Sequence, residues 1–282
     1  MAGFRVLATG LGFTEGPVWT RDERLLVTSI SHGVVYEVAD GGARDVAETG
    51  GGPNGLAEGA DGLLYVAQNG ANSSPDSTGA TSPAAPGIQV IDGESVRHLI
   101  DGLGAPNDLC FGPDGRLYFT DPRGWTTPAE VDPGRVYALA LDGTLELLTE
   151  GLKFTNGIAF GPDASQLFVA ETFANRVLVY PFSNGRLGGA REFCRIDPGM
   201  PDGLCFDEDG LLYVAATSSE QVQVFDRDGR CIERLHCGEG SLPTNCCFGG
   251  AFGHTLFVTD SRGERVLAFE RDAAGLALYP FR

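Results

Sequence analysis

Short runs of alternating apolar and polar residues, separated by glycine-containing turns, dominate the chain. Leu64-Tyr65-Val66-Ala67, Leu117-Tyr118-Phe119-Thr120, Leu167-Phe168-Val169-Ala170, Leu212-Tyr213-Val214-Ala215 and Leu256-Phe257-Val258-Thr259 are the clearest. A period of two over so few residues predicts half-buried β-strands. Turns such as Pro113-Asp114-Gly115 and Glu208-Asp209-Gly210 precede several of these runs. They supply the positive backbone angles that tight hairpins need. A third strand is predicted downstream, as at Arg135–Leu139, Arg176–Tyr180 and Arg265–Phe269. No persuasive helical period competes with this reading.

The strands belong to a repeat. One phrase recurs: Pro or Thr, then Asn or Asp, a small or apolar pair, a strand, an Asp-Gly-like turn and another strand. It begins at Pro53-Asn54-Gly55-Leu56, Pro106-Asn107-Asp108-Leu109, Thr155-Asn156-Gly157-Ile158, Pro201-Asp202-Gly203-Leu204 and Thr244-Asn245-Cys246-Cys247, with a variant at Thr14-Glu15-Gly16-Pro17. The steps from Glu15 to Asn54, Asn107, Asn156, Asp202 and Asn245 are 39, 53, 49, 46 and 43 residues. A period of that size with four short strands per unit predicts an all-β, six-bladed β-propeller. The whole chain, 1–282, then forms one domain, although its length alone would suggest about two. A ring must close on itself to avoid open strand edges. The strand near Phe4–Ala8 is expected to complete the sixth blade, with Leu276–Pro280 as a rival. Ala71–Pro86, rich in Ser, Pro, Ala and Gly, interrupts the second blade either as a surface loop or as a lid.

Composition narrows the partners. Thirty-eight acidic residues against twenty basic ones give a net charge of −18, which disfavours nucleic acid and anionic membranes. No apolar run approaches the length of a membrane span, and the amino terminus has no leader pattern. The seven cysteines have no Cys-x-x-Cys spacing, and Cys110, Cys205 and Cys247 lie in apolar strands as small buried thiols. A reduced, cytoplasmic setting is expected.

The chemistry is pruned by what is missing. There is no Gly-x-Ser-x-Gly elbow, phosphate-binding loop, His-Glu-x-x-His or complete calcium-hand loop, and none of the four histidines sits in the repeated phrase. Asp207-Glu208-Asp209-Gly210 has hairpin-turn spacing. What remains is the phrase itself. Equivalent positions in a propeller converge on the axis, which would gather Glu15, Asn54, Asn107, Asn156, Asp202 and Asn245. Two carboxylates among amides suit a hard cation, calcium before softer metals. The alternative is that Asn and Asp act only as local turn formers. Acids at two positions of an otherwise steady phrase favour the cation.

The chain resembles the senescence marker protein, gluconolactonase and luciferin-regenerating enzyme family. Phe13-Thr14-Glu15-Gly16-Pro17-Val18-Trp19, Pro106–Pro122, Thr155-Asn156-Gly157, Ala170-Glu171-Thr172-Phe173, Pro201-Asp202-Gly203 and Asn245–Gly250 carry the resemblance, in order along nearly the whole chain. It implies a metal-dependent lactone hydrolase with Glu15, Asn156 and Asp202 as metal ligands. Calcium is the first expectation, with zinc, manganese and magnesium open. Asp202 would also transfer the proton, and Asn107 would contact the metal or the substrate. Asp121 is a candidate for the site mouth or for a strand-end turn; Arg123 and Trp125 are candidates for the pocket or for surface loop. Ala105 stands where some sugar-lactone members carry an arginine, which questions aldonolactone specificity. A small lactone or ester is the expected partner, with phosphotriester cleavage, condensing chemistry and a binding module as competitors. The oligomeric state is left open.

Overall fold

The computed structural model describes residues 3–71, 82–124 and 132–281. Their strands form six antiparallel sheets that follow one another along the chain. Blade one holds Thr14–Trp19, Leu25–Ser29, Val34–Ala39 and Gly42–Glu48; blade two holds Pro53–Glu58, Leu64–Gln68, Gly87–Asp92 and Ser95–Asp101. Blades three to five follow the same plan, starting at Leu109–Phe111, Thr155–Phe160 and Met200–Phe206. Each blade's first strand lies innermost, in contact with the first strands of its neighbours. The architecture is the expected six-bladed propeller.

Closure is by the amino-terminal strand. Blade six comprises Pro243–Gly249, Thr255–Asp260 and Arg265–Glu270, and Arg5–Thr9 pairs antiparallel with the last of these. One sheet is thus built from both ends of the chain, and its outer edge is covered. The rival segment does something else. Residues 271–281 cross the end of the ring where the inner strands finish: Leu276 N donates to Phe206 O at 2.9 Å, and Tyr279 meets the Phe160 ring at 6.1 Å.

Hydrophobic side chains fill the wedges between blades. Phe168, Val177 and Val179 of blade four meet Leu204, Leu212 and Val214 of blade five in one such cluster. Two alternating faces per blade, each buried against a neighbour, explain why these strands are largely apolar on both sides. The seven cysteines are all free; Cys247 is buried, whereas Cys110 and Cys205 are half-buried. Asp207–Gly210 is a hairpin turn, with Asp207 accepting from Leu211 N at 2.8 Å and Gly210 at φ 78°. Trp125 and most of the Ala71–Pro86 insertion lie outside the described residues.

Candidate functional site

Register decides what faces the axis. Thr14, Pro53, Thr155, Pro201 and Pro243 pair with Ser29, Gln68, Glu171, Ala216 and Asp260; a bulge follows directly in four of these blades and one residue later, after Glu15, in blade one. The residue after each of these positions turns inward: Glu15, Asn54, Asn156, Asp202 and Thr244, with Asn107 equivalent in blade three. These side chains line one cavity of about 210 Å³ at the ring mouth. The expected convergence holds for five positions. At the sixth it fails: Thr244 takes the place expected for Asn245, because the phrase in blade six sits one residue out of step with Thr155-Asn156-Gly157.

Asn245 instead occupies the next position inward along the channel. Its counterparts are Gly16, Gly55, Gly157 and Gly203 in four blades and Asp108 in blade three. The glycines are demanded by close approach: a Cβ on Gly203 would collide with the Asn245 side chain, and one on Gly55 with Asp108. Asp108 and Asn245 therefore fill the room two glycines leave, forming a second polar layer beneath the mouth. Leu109 N donates to Asp108 Oδ1 at 2.9 Å and Cys246 N to Asn245 Oδ1 at 2.8 Å, the same local turn in both. Sequence reasoning missed Asp108 and Thr244; the glycine alternation along the phrase was the available signal.

Threonines fasten the inner strands. Thr28 Oγ1 donates to Asn54 O at 2.6 Å, Thr120 Oγ1 to Asn156 O at 2.7 Å and Thr244 Oγ1 to Thr14 O at 2.8 Å. Each bond crosses from one blade to the next, so the mouth is held as one ring.

Burial makes the acids unusual. Glu15 is 3% and Asp202 8% exposed. Desolvation first, then the charge of Asp108, pushes Glu15 up to about 8. Desolvation raises Asp202 well above the carboxylate range, helped by Glu15 and then Asp108. Asp108 itself is pushed up to about 6, mainly by burial. Three carboxylates in one dry channel repel one another unless protons or a cation compensate.

The donor set fits a hard divalent cation. Asn54 Oδ1 is buried with no hydrogen-bond partner among the described residues, a bare acceptor of the kind a cation or its water satisfies. Among those residues no three His, Cys, Asp or Glu side chains group as a metal site. A cation here would therefore need amide oxygens beside Glu15 and Asp202, as calcium accepts.

The remaining candidates separate. Asp121 accepts from Gly104 N, Ala105 N and Arg123 N at 3.0, 2.8 and 2.9 Å. Its carboxylate ties the loop leading into the Asn107 strand to the end of the second strand, the turn alternative of its two readings. Gln68, Glu171 and Asp260 do the same in other blades, accepting from Gly52 N, Lys153 N and Leu242 N. Arg123 is exposed at φ 68° and does not line the described mouth.

The SMP-30/Gluconolactonase/LRE-like region matches residues 13–262. The chain belongs to this family. It is 28% identical to the gluconolactonase of Zymomonas mobilis, over 91% of this chain and 78% of that protein. It is 30% identical to the diisopropyl-fluorophosphatase of Loligo vulgaris, over 61% and 59% of the two chains. The solved structure of XC5397, a gluconolactonase of Xanthomonas campestris, superposes with a TM-score of 0.80 at 26% identity, covering 95% of this chain and 89% of that one. The family is one of gluconolactonase-type hydrolases. No helix among the described residues is long and apolar enough to cross a membrane.

Proposed function

We propose that the protein opens a small lactone at the mouth of the ring, with a divalent cation held by Glu15, Asn156 and Asp202. The observation that carries this reading is the convergence of two buried acids and the bare Asn54 carbonyl on one cavity of about 210 Å³. When bound, such a cation supplies Lewis acidity, polarising an ester carbonyl and lowering the pKa of water. The chain supplies the rest. Asp202 accepts the proton released as water attacks the carbonyl carbon. The Asn107 amide donates to the oxygen on which negative charge grows, and the alkoxide leaving group takes from Asp202 the proton that water released as the ring opens. The apolar walls limit competing water. No covalent enzyme intermediate is required, in keeping with the missing nucleophile motif.

Calcium is the cation this oxygen-rich set favours, ahead of zinc, manganese or magnesium. Chelation should abolish lactone hydrolysis and calcium should restore it. Glu15→Gln or Asp202→Asn should cut kcat/KM by about a hundredfold or more while the protein stays folded. Full activity in either variant would refute the assignment. The likeness to a fluorophosphatase supports a second reading, cleavage of phosphotriesters in the same cavity. A higher kcat/KM for a fluorophosphate than for any lactone in a panel would select it.

A further inference from the structure

The wall of the mouth above the acids has an uneven chemistry. Phe13, Ile30, Phe154, Met200 and Leu242 contribute apolar surface, and Arg262 is the only cation among the described lining residues. Thr217 and Ser218 add two hydroxyls to this wall, and a polyhydroxylated substrate would still turn some of its own hydroxyls to the hydrocarbon of those five side chains, at the cost of unpaired polar groups. The walls suit an apolar body.

Arg262 stands apart from the other arginines around it. Neighbouring Arg265 is committed to Asp260 at 2.7 Å, and Arg176 in the fourth blade to Glu171 at 2.6 Å. Arg262 is exposed and forms no ion pair with any described residue, in a chain with 38 acids. Its backbone is nevertheless fixed beside the site. Ser261 Oγ donates to Thr14 O at 2.7 Å, next to Glu15, and Ser261 N donates to Leu242 O at 3.0 Å. Arg262 thus follows an anchored residue and borders the cavity.

Charge balance gives the rim cation its meaning. A divalent ion would neutralise Glu15 and Asp202, which leaves Arg262 as the uncompensated charge among the described cavity-lining residues, with Asp108 one layer deeper. One planar guanidinium pairs well with one carboxylate through two parallel hydrogen bonds. A phosphate dianion would leave a charge unpaired. We infer that Arg262 is a carboxylate-recognition residue, and that the substrate is a lactone with an apolar body and a carboxylate substituent. The ring carbonyl lies over Glu15 and Asp202, the body lies along the apolar wall, and the carboxylate meets the rim.

This inference rests on the lactone-hydrolase reading and extends it to a substrate class. The test compares γ-butyrolactone bearing a carboxymethyl group with its neutral propyl counterpart, on calcium-loaded wild type, Arg262→Gln and Arg262→Lys. The wild type should favour the carboxylate-bearing lactone. In Arg262→Gln the ratio of the two kcat/KM values should fall about tenfold, mostly through KM, as expected for a lost hydrogen bond to a charged group. Arg262→Lys should recover part of the ratio, and added salt should erode it in the wild type. A readout independent of turnover is the binding of tetrahydrofuran-2-acetate, which has no ester to cleave; its Kd should weaken about tenfold in Arg262→Gln. An unchanged ratio together with an unchanged Kd overturns the inference and leaves the hydrolase reading standing. Hydrolysis of neither lactone by the wild type overturns the hydrolase reading, and the substrate class falls with it.

Discussion

Asn156 Nδ2 donates to Thr172 Oγ1 at 3.2 Å, and that hydroxyl in turn donates to the carbonyl of Pro201 at 2.8 Å. One threonine of blade four therefore orients a proposed metal ligand of its own blade. It also clamps the residue before Asp202 in the next blade. With the amide nitrogen held this way, the Asn156 oxygen would be the end offered to the proposed cation.

Thr172→Val keeps the shape and removes the hydroxyl. The variant should fold with a loss of about 1–3 kcal/mol, since the Pro201 carbonyl and the Asn156 amide lose a buried partner. Its calcium affinity should fall about 10–100-fold, the usual effect of losing a group that orients a ligand. Calorimetric titration with calcium, beside chemical denaturation, reads both.

The buried acids make stability depend on pH in a defined direction. Glu15 rises from an ordinary value of 4.5 to about 8 in the folded chain. A carboxyl raised by folding holds its proton more tightly in the native state. Its stabilising contribution is complete below pH 4.5 and is lost as the pH climbs through about 8. The cation-free protein should accordingly lose thermal stability across that interval. Calcium should restore it, with a gain that grows with pH because ligation requires the deprotonated acid. Melting curves with chelator and with calcium across the interval check this, and Glu15→Gln should flatten the chelated curve.

Asp121→Ala separates scaffold from site. Three backbone amides lose their acceptor, so a loss of about 2–4 kcal/mol is expected if water reaches only some of them. Because this carboxylate does not line the described mouth, the folded fraction should bind calcium with wild-type affinity. Denaturation midpoints and a calcium titration at low temperature make the comparison.

Deleting residues 3–9 removes the strand that pairs with Arg265–Glu270 and uncovers Phe269, which packs on Phe4 at 5.6 Å between ring centroids. The sixth blade would be left with an open edge and an opened core. The truncated chain should lose cooperative unfolding or aggregate. Sedimentation and calorimetry report which.

The candidate site was largely legible in the repeated phrase, since a recurrent polar residue before an inner strand must face the axis in every blade. Glu15, Asn54, Asn107, Asn156 and Asp202 meet at the mouth for that reason. Blade six misled because Thr244-Asn245 mimics Thr155-Asn156, yet the bulge after Pro243 turns Thr244 inward and carries Asn245 one step deeper. Asp108 was hidden by its neighbour: beside Asn107 it reads as part of a turn, and only contact across the channel gives it a role. Asp121, in the Phe-Thr-Asp-Pro phrase, read equally as a residue of the site mouth and as a strand-end turn. Its amide partners Gly104 and Ala105 are distant enough in sequence that no local pattern announces them.

Local order was written in the residues themselves. A period of two, hairpin turns and a repeat near 46 residues determine strands, blades and their number, because those depend on interactions between near neighbours. The tertiary structure alone decided that Thr244 rather than Asn245 meets the axis in blade six, and how far Glu15 and Asp202 are dried and crowded. It also set which terminus closes the ring and where Arg262 stands. These outcomes depend on burial and on competition for backbone amides between segments far apart along the chain. Neither is a property of any single stretch of sequence.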